Sequence, residues 1–311
     1  MKNRFTLLLI VILSILTLIS CGEKQKQKST KKIGVTLLSR AQIFYRDLED
    51  GLNAQADSND YQLIVTSGEF DLGKQISQVE DFISRKVDAI IICPVDSKGI
   101  GLAIEEANKA GIPVFTADIA AEQGNVVSHI ASDNVAGGRL AGEYLAKLLN
   151  GKGNVALIDQ PAITSVLDRV KGFKESISKY PGIKIVADVN GMGVRDRALQ
   201  AATDVLQAHP DLKGIFGIND DSALGALDAV RQFNKKGIYI VGYDATPPAR
   251  KAILEGTALK ADVVQFPKDI GETTIKEIKA YFEGRQVPKL VPVNVGIVDK
   301  EFLEKANSKS E

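Results

Sequence analysis

A chain of 311 residues, 44% apolar and 25% charged, has the composition of a soluble globular protein and enough length for two domains of ordinary size. Its 39 basic groups balance its 39 acidic ones. With no basic stripe anywhere along the chain, nucleic acid is excluded as the expected partner.

The first twenty residues read as an export signal rather than as part of a fold. Lys2 and Arg4 form a positive start, and residues 5–19 are an almost unbroken apolar run, marginal for a membrane span, which needs roughly twenty residues. The run ends in Leu18-Ile19-Ser20-Cys21, followed by Gly22. This pattern resembles the bacterial lipobox, which implies that Cys21 becomes the lipidated first residue of the mature chain. Residues 21–31 then form a polar tether without an apolar side chain after the cysteine. The second cysteine, Cys93, lies in an apolar run and reads as a buried thiol, so no disulfide is expected.

From residue 33 onward short apolar strands alternate with amphipathic segments. Strands are expected at residues 33–38, 61–67, 89–93 and 113–117, with helices near 43–56, 71–85 and 100–110. The stretch 126–142, VVSHIASDNVAGGRLAG, begins as a strand and becomes a helix, with Ser132, Asp133 or Asn134 available as its cap. Gly137, Gly138 and Gly142 are costly in a helix unless something packs against the backbone there. Further strands follow at 154–159, 183–189, 214–218, 239–243 and 261–265. Continuous apolar strands alternating with helices imply an α/β protein whose parallel sheets are covered on both faces.

The two halves repeat one another. DAIIICPVDS (88–97) leads through a helix to GIPVFTAD, ending at Asp118; LKGIFGINDDS (212–222) leads through a helix to GIYIVGYD, ending at Asp244. The two aspartates therefore stand at equivalent strand ends, and ligands of doubly wound sheets bind beyond those ends. Facing lobes would aim both carboxylates into one cleft, and the stretch 126–142 would be the first crossing between them.

No catalytic machinery is legible. His129 and His209 are far apart and Cys93 sits in a strand, so no metal-ligand spacing occurs. His129, alternating with apolar neighbours, reads as a core histidine. There is no phosphate-binding glycine loop after the first strand and no nucleophile elbow, so neither a cofactor nor an enzymatic activity is expected. The groups left at strand ends are Asp118, Asn219 and Asp244, joined by Arg169 and Gln265. Carboxylate, amide and guanidinium groups suit a ligand dense in hydroxyls, each of which donates and accepts.

VSHIASDN, GGRLAGEYLA, HPDLKGIFGINDDSALGAL, VGYDATP and QFPKDIG together resemble the ribose-binding proteins and their relatives, the substrate-binding components of ABC sugar importers. That resemblance implies the type I periplasmic-binding-protein fold: two Rossmann-like doubly wound parallel-sheet lobes joined by a three-strand hinge. Crossings are then expected near Ser132–Asp133, Gln265–Phe266 and Asn294–Val295, giving lobes of 32–132 with 266–294 and of 133–265 with 295–311. A sugar or polyol would close the lobes, and the closed monomer would deliver it to a membrane permease from the extracytoplasmic side.

The resemblance also carries binding roles onto particular residues. Asp118, Arg169, Asn219, Asp244 and Gln265 match the polar ligands of the family, and Phe44 with Tyr45 matches the aromatic pair that sandwiches the sugar. Three places depart. The family's Asn-Pro before the aromatic pair is Gln42-Ile43, its arginine after the first aspartate is Ile119, and an aromatic before Arg195 is replaced by Gly193. Losing a bidentate donor and a stacking ring changes which ligand fits, so a cyclitol or other non-ribose ligand is an alternative. A chemotaxis or sensor-kinase partner is a second possible readout. A sugar-responsive repressor would need an amino-terminal helix-turn-helix, where this chain has its export signal.

Overall fold

The computed structural model describes residues 30–308, so the expected export signal and most of the expected tether lie outside the described residues. Those residues form two six-stranded sheets with helices on both faces of each. The first is built from β1 (Lys32–Leu37), β2 (Gln62–Ser67), β3 (Ala89–Ile92), β4 (Val114–Ala117) and β5 (Val126–Ser132), with α1 (Ile43–Asp57), α2 (Leu72–Ser84) and α3 (Gly101–Lys109) between the first four. The second is built from β6 (Lys152–Asp159), β7 (Gly182–Asn190), β8 (Leu212–Gly217), β9 (Tyr239–Asp244) and β10 (Leu259–Val264). Its helices are α4 (Asn134–Leu148), α5 (Thr164–Ile177), α6 (Arg195–Ala208), α7 (Asp220–Gln232) and α8 (Pro247–Leu254).

The chain then returns. Helix α9 (Pro267–Phe282) and β11 (Leu290–Val293) join the first sheet, and β12 (Gly296–Asp299) with α10 (Lys300–Asn307) completes the second. Strand orders are β11-β5-β4-β3-β1-β2 and β12-β10-β9-β8-β6-β7, position for position the same. All pairs are parallel except β10 with β12. Burial on both faces explains why the central strands are apolar throughout: Ala89, Ile90, Ile91 and Ile92 are all fully buried. Neither β11 nor β12 was anticipated from the sequence. Each is four residues long at a sheet edge, and β11 carries Pro292, which an edge strand tolerates because its missing N–H costs no ladder bond.

The repeat extends to helix packing. In the first lobe α1 lies against α9, and in the second α5 lies against α4. A Cβ on Gly51 of α1 would overlap the carbonyl of Lys268, and one on Gly271 of α9 would overlap that of Leu48. In the second lobe a Cβ on Gly172 of α5 would overlap the carbonyl of Val135, and one on Gly138 of α4 would overlap that of Arg169. Of the glycines that looked costly in α4, Gly138 and Gly142 are therefore the means by which two backbones approach, while Gly137 meets the Tyr243 side chain. The same helix is capped by Asp133, whose carboxylate accepts from the Ala136 amide at 3.0 Å.

Candidate functional site

The carboxyl ends of the two sheets face each other across a cleft. Nine of the ten residues expected at the site line it: Gln42, Phe44, Tyr45, Asp118 and Ile119 from the first lobe, and Arg169, Asn219, Asp244 and Gln265 from the second. Gly193, the tenth, stands one layer behind. Its carbonyl accepts from Gln42 Nε2 and from Asn219 Nδ2, each at 3.0 Å. Leu38, Gln160, Ile163, Ser165, Val166 and Ile218 complete the lining.

The enclosure is tight. It contains about 370 Å³ of atom-free space, but a water-sized sphere can centre itself in only 30 Å³ of it. An open groove of 720 Å³ shares Phe44, Asp244 and Gln265 with the cleft and continues over α8 to Lys251, Leu254 and Glu255. The convergent polar groups are in the smaller space, which makes it the candidate site despite its size.

Arg169 is the centre of the arrangement and is only 4% exposed. Its Nε donates to Asn134 Oδ1 and its Nη1 to the Ile218 carbonyl, both at 2.8 Å. Its guanidinium lies 4.0 Å from the centroid of the Tyr243 ring, in cation–π contact, and Nη1 is 4.0 Å from Asp244 Oδ1. The Tyr243 hydroxyl donates to the same Asn134 oxygen at 3.2 Å. So the stretch 126–142 supports the arginine: Asn134 holds its Nε, Gly138 lets its helix approach, and Gly137 leaves room for the Tyr243 hydroxyl.

Asp118 and Asp244 are both held at positive φ, +65° and +112°, a backbone region costly for residues with side chains and common where function imposes it. Asp118 Oδ2 accepts from the Tyr45 hydroxyl at 2.7 Å, and its Oδ1 is buried without a donor among the described residues. Burial pushes its carboxyl above the usual range, while Arg169 and the tyrosine bond oppose the shift. Asp244 is pushed up further, again by burial first and against the pull of Arg169. Its Oδ1 accepts from Gln265 Nε2 at 2.6 Å, and Gln265 Oε1 is buried with no donor among the described residues.

Phe44 and Tyr45 meet edge to face, with centroids 5.2 Å apart and planes at 77°. Tyr45 anchors Asp118, which leaves the Phe44 ring as the freer apolar surface. Ile119, 1% exposed, brings no donor to the neighbourhood where the resemblance called for an arginine. Behind Asp244 lies a second acidic pair: Asp220 and Asp262 are buried side by side, and among the described residues neither Asp262 oxygen has a well-formed hydrogen bond, the Ala245 amide being its nearest backbone donor. Asp220 Oδ2 takes the amide of Thr246 at 2.6 Å and also its hydroxyl.

The lobes touch across the cleft mouth. Gln42 Nε2 reaches Asp221 Oδ2 at 3.2 Å as well as the Gly193 carbonyl. On the other side Thr164 Oγ1 accepts from the Ala120 amide and donates to the Ala120 carbonyl, both at 3.1 Å. The Thr164 amide donates to Ser97 Oγ at 3.1 Å, and the Ser97 amide to the Ala162 carbonyl at 3.2 Å. Ser97 and Ala120 belong to the first lobe, Ala162 and Thr164 to the second. Cys93, beside Tyr45 and Asp118, is a buried free thiol. His129 is held near pKa 4 by burial and bonded to Thr116 Oγ1 at 2.9 Å. Among the described residues no cluster of His, Cys, Asp and Glu is placed to hold a metal, and no helix is long and apolar enough to cross a membrane.

Two equivalent α/β lobes with a polar cleft at their strand ends define a two-lobed solute-binding protein. The chain belongs to the periplasmic binding protein family, whose domain matches residues 33–286. It is 35% identical over 259 residues to the ribose import binding protein RbsB of Escherichia coli K12, covering 83% of this chain and 87% of that one. It is 31% identical over 243 residues to a xylitol-binding protein of Mycolicibacterium smegmatis, covering 78% and 69% of the two chains. An ABC transporter solute-binding protein of Bacillus halodurans, solved with bound myo-inositol, superposes with a TM-score of 0.82 at 29% identity, over 90% of this chain and 98% of that one.

Proposed function

We propose that the protein binds a sugar or polyol between its lobes and presents the closed form to the permease of an ABC importer. The observation that carries this reading is the pair of buried acceptors without donors, Asp118 Oδ1 and Gln265 Oε1, both on residues that line the cleft. A buried acceptor left unpaired costs about 1–3 kcal/mol, and ligand hydroxyls supply the missing donors. Arg169, Asn219 and Asp244 complete a set able to bond hydroxyls from the second lobe. Phe44 offers an apolar face to C–H groups.

Ile119 and Gly193 favour a polyol or cyclitol over ribose, because one removes a charged donor and the other an aromatic wall. Relatives named for xylitol or solved with myo-inositol show that such ligands occur in this family beside ribose, for which relatives of higher identity are named. The export signal and Cys21 support a lipid-anchored, extracytoplasmic location. A thermal-shift panel of D-ribose, D-allose, xylitol and myo-inositol tests the reading, since ligand at a thousand times its dissociation constant adds about 4 kcal/mol. A polyol or cyclitol is expected to give the largest shift. No shift with any member overturns the reading, and a largest shift with ribose overturns the ordering.

A further inference from the structure

Three carboxamides converge around Gly193, and two are already committed. Gln42 Nε2 is divided between the Gly193 carbonyl and Asp221. Asn219 donates to the same carbonyl, while its Oδ1 caps α7 by accepting from the Ser222 amide at 2.8 Å. The third is Gln160, the residue that follows β6, in the position that Leu38 holds after β1. It lines the cleft, and its carboxamide has no hydrogen-bond partner among the described residues.

Gly193 is what gives Gln160 its place. A Cβ on Gly193 would overlap Gln160 Oε1 and lie 2.9 Å from its Cδ. Gly193 also sits at φ +66°, where a side chain is strained whatever the space. The wall left bare by the missing ring at 193 is thus occupied by an amide able to donate and accept at once.

We propose that Gln160 is a specificity-determining residue, bonding a hydroxyl of the ligand on this wall and so favouring ligands with a hydroxyl on every carbon. This rests on the reading that the cleft takes a sugar or polyol. A hydroxyl answers both ends of a carboxamide, whereas the ring oxygen of a sugar only accepts and a C–H face does neither. Ligands lacking the matching hydroxyl leave the amide unpaired, which is how a hydrogen-bonding site rejects its near relatives.

The test is isothermal titration of the wild type, Gln160→Ala and Gln160→Leu with xylitol, myo-inositol and D-ribose. Both variants are expected to lose about tenfold or more in affinity for the tighter of xylitol and myo-inositol, and less than about threefold for ribose. Equal losses for all three, a larger loss for ribose, or no loss overturns the proposal. Failure of all three to bind the wild type overturns the functional reading, and this proposal with it.

A ligand-free cycle checks the placement by itself. Gly193→Ala is expected to lower the melting temperature less in a Gln160→Ala background than in the wild type, because the strain of φ is common to both and the overlap is not. Equal decrements overturn the placement of Gln160 against Gly193.

Discussion

Asp118 and Asp244 end equivalent strands of two different sheets, and one guanidinium, that of Arg169, offsets the burial of both. Two carboxylates and one cation leave the cleft with an excess of acceptors. That excess matches a neutral ligand rich in O–H groups better than an anion. The fixed geometry of Arg169, with two of its nitrogens bonded to the protein, makes it a support for both lobes' acids at once.

Arg169→Ala should therefore damage both stability and binding. Removing one partner of a buried charge set costs about 3–5 kcal/mol, and affinity for the best ligand of the panel should fall by about a hundredfold or more. Arg169→Lys keeps the charge but not the planar donor geometry, so it should recover stability more than affinity. Chemical denaturation and titration, run on both variants, separate the two effects. An Arg169→Ala protein as stable as the wild type would contradict the role given to this residue.

The acidic pair behind Asp244 predicts an unusual pH dependence. Burial pushes Asp220 up to about 6 and Asp262 well above the carboxylate range, with Asp220 itself raising Asp262. Asp244 and Asp221 face the same region, and both are raised as well. Groups with raised native pKa values bind more protons folded than unfolded, so the stability these groups contribute is full below about 4 and declines as pH climbs through about 6. Asp262→Asn supplies a permanent N–H donor towards Asp220. Melting curves from pH 4 to pH 8 should then be flatter than those of the wild type and, at pH 7, more stable by on the order of 1–3 kcal/mol. A variant with the wild-type slope would contradict the coupling of Asp220 with Asp262.

Thr164 should act on closure without touching the ligand. Its hydroxyl and amide make bonds to Ala120 and Ser97 across the cleft mouth, so Thr164→Val destabilises the lobes-together form specifically. Affinity should fall by about three- to thirtyfold, the equivalent of one or two neutral hydrogen bonds. Small-angle scattering should show that more ligand is needed to reach the same radius of gyration. Unchanged scattering at saturating ligand in the wild type would rule out a clamp that closes on its ligand.

Cys21 lies outside the described residues, and its proposed lipid is tested separately. Cys21→Ser should release the protein from the membrane fraction or stall its processing. Normal processing with unchanged fractionation would remove the anchor from the account.

The strand and helix alternation was legible because buried parallel strands must be apolar on both faces, and Asp118 with Asp244 was legible because the halves repeat. Asn134, Tyr243 and Gln160 were not. Asn134 looks like one of three candidate helix caps, yet Asp133 takes that role and Asn134 turns its amide oxygen to Arg169. Tyr243 alternates away from Asp244 into the core, and only the fold shows that Arg169 lies over its ring. Gln160 carries a signal in hindsight, since it follows its strand as Leu38 does. Its importance, though, comes from Gly193, thirty-three positions on in the chain. Tertiary neighbours, not local pattern, assign such roles.

The pairing of α1 with α9 governs when the molecule can become itself. Gly51 meets the backbone of Lys268, and the edge strand of the first sheet ends at Val293. The first lobe therefore lacks its covering helix and its last strand until residues 267–293 have been synthesised. Residues 33–132, although they contain five strands in order, remain an exposed fragment during that time. The interleaving makes a stable first lobe wait on contacts between segments far apart in the chain, a source of slow folding that neither sheet shows by itself.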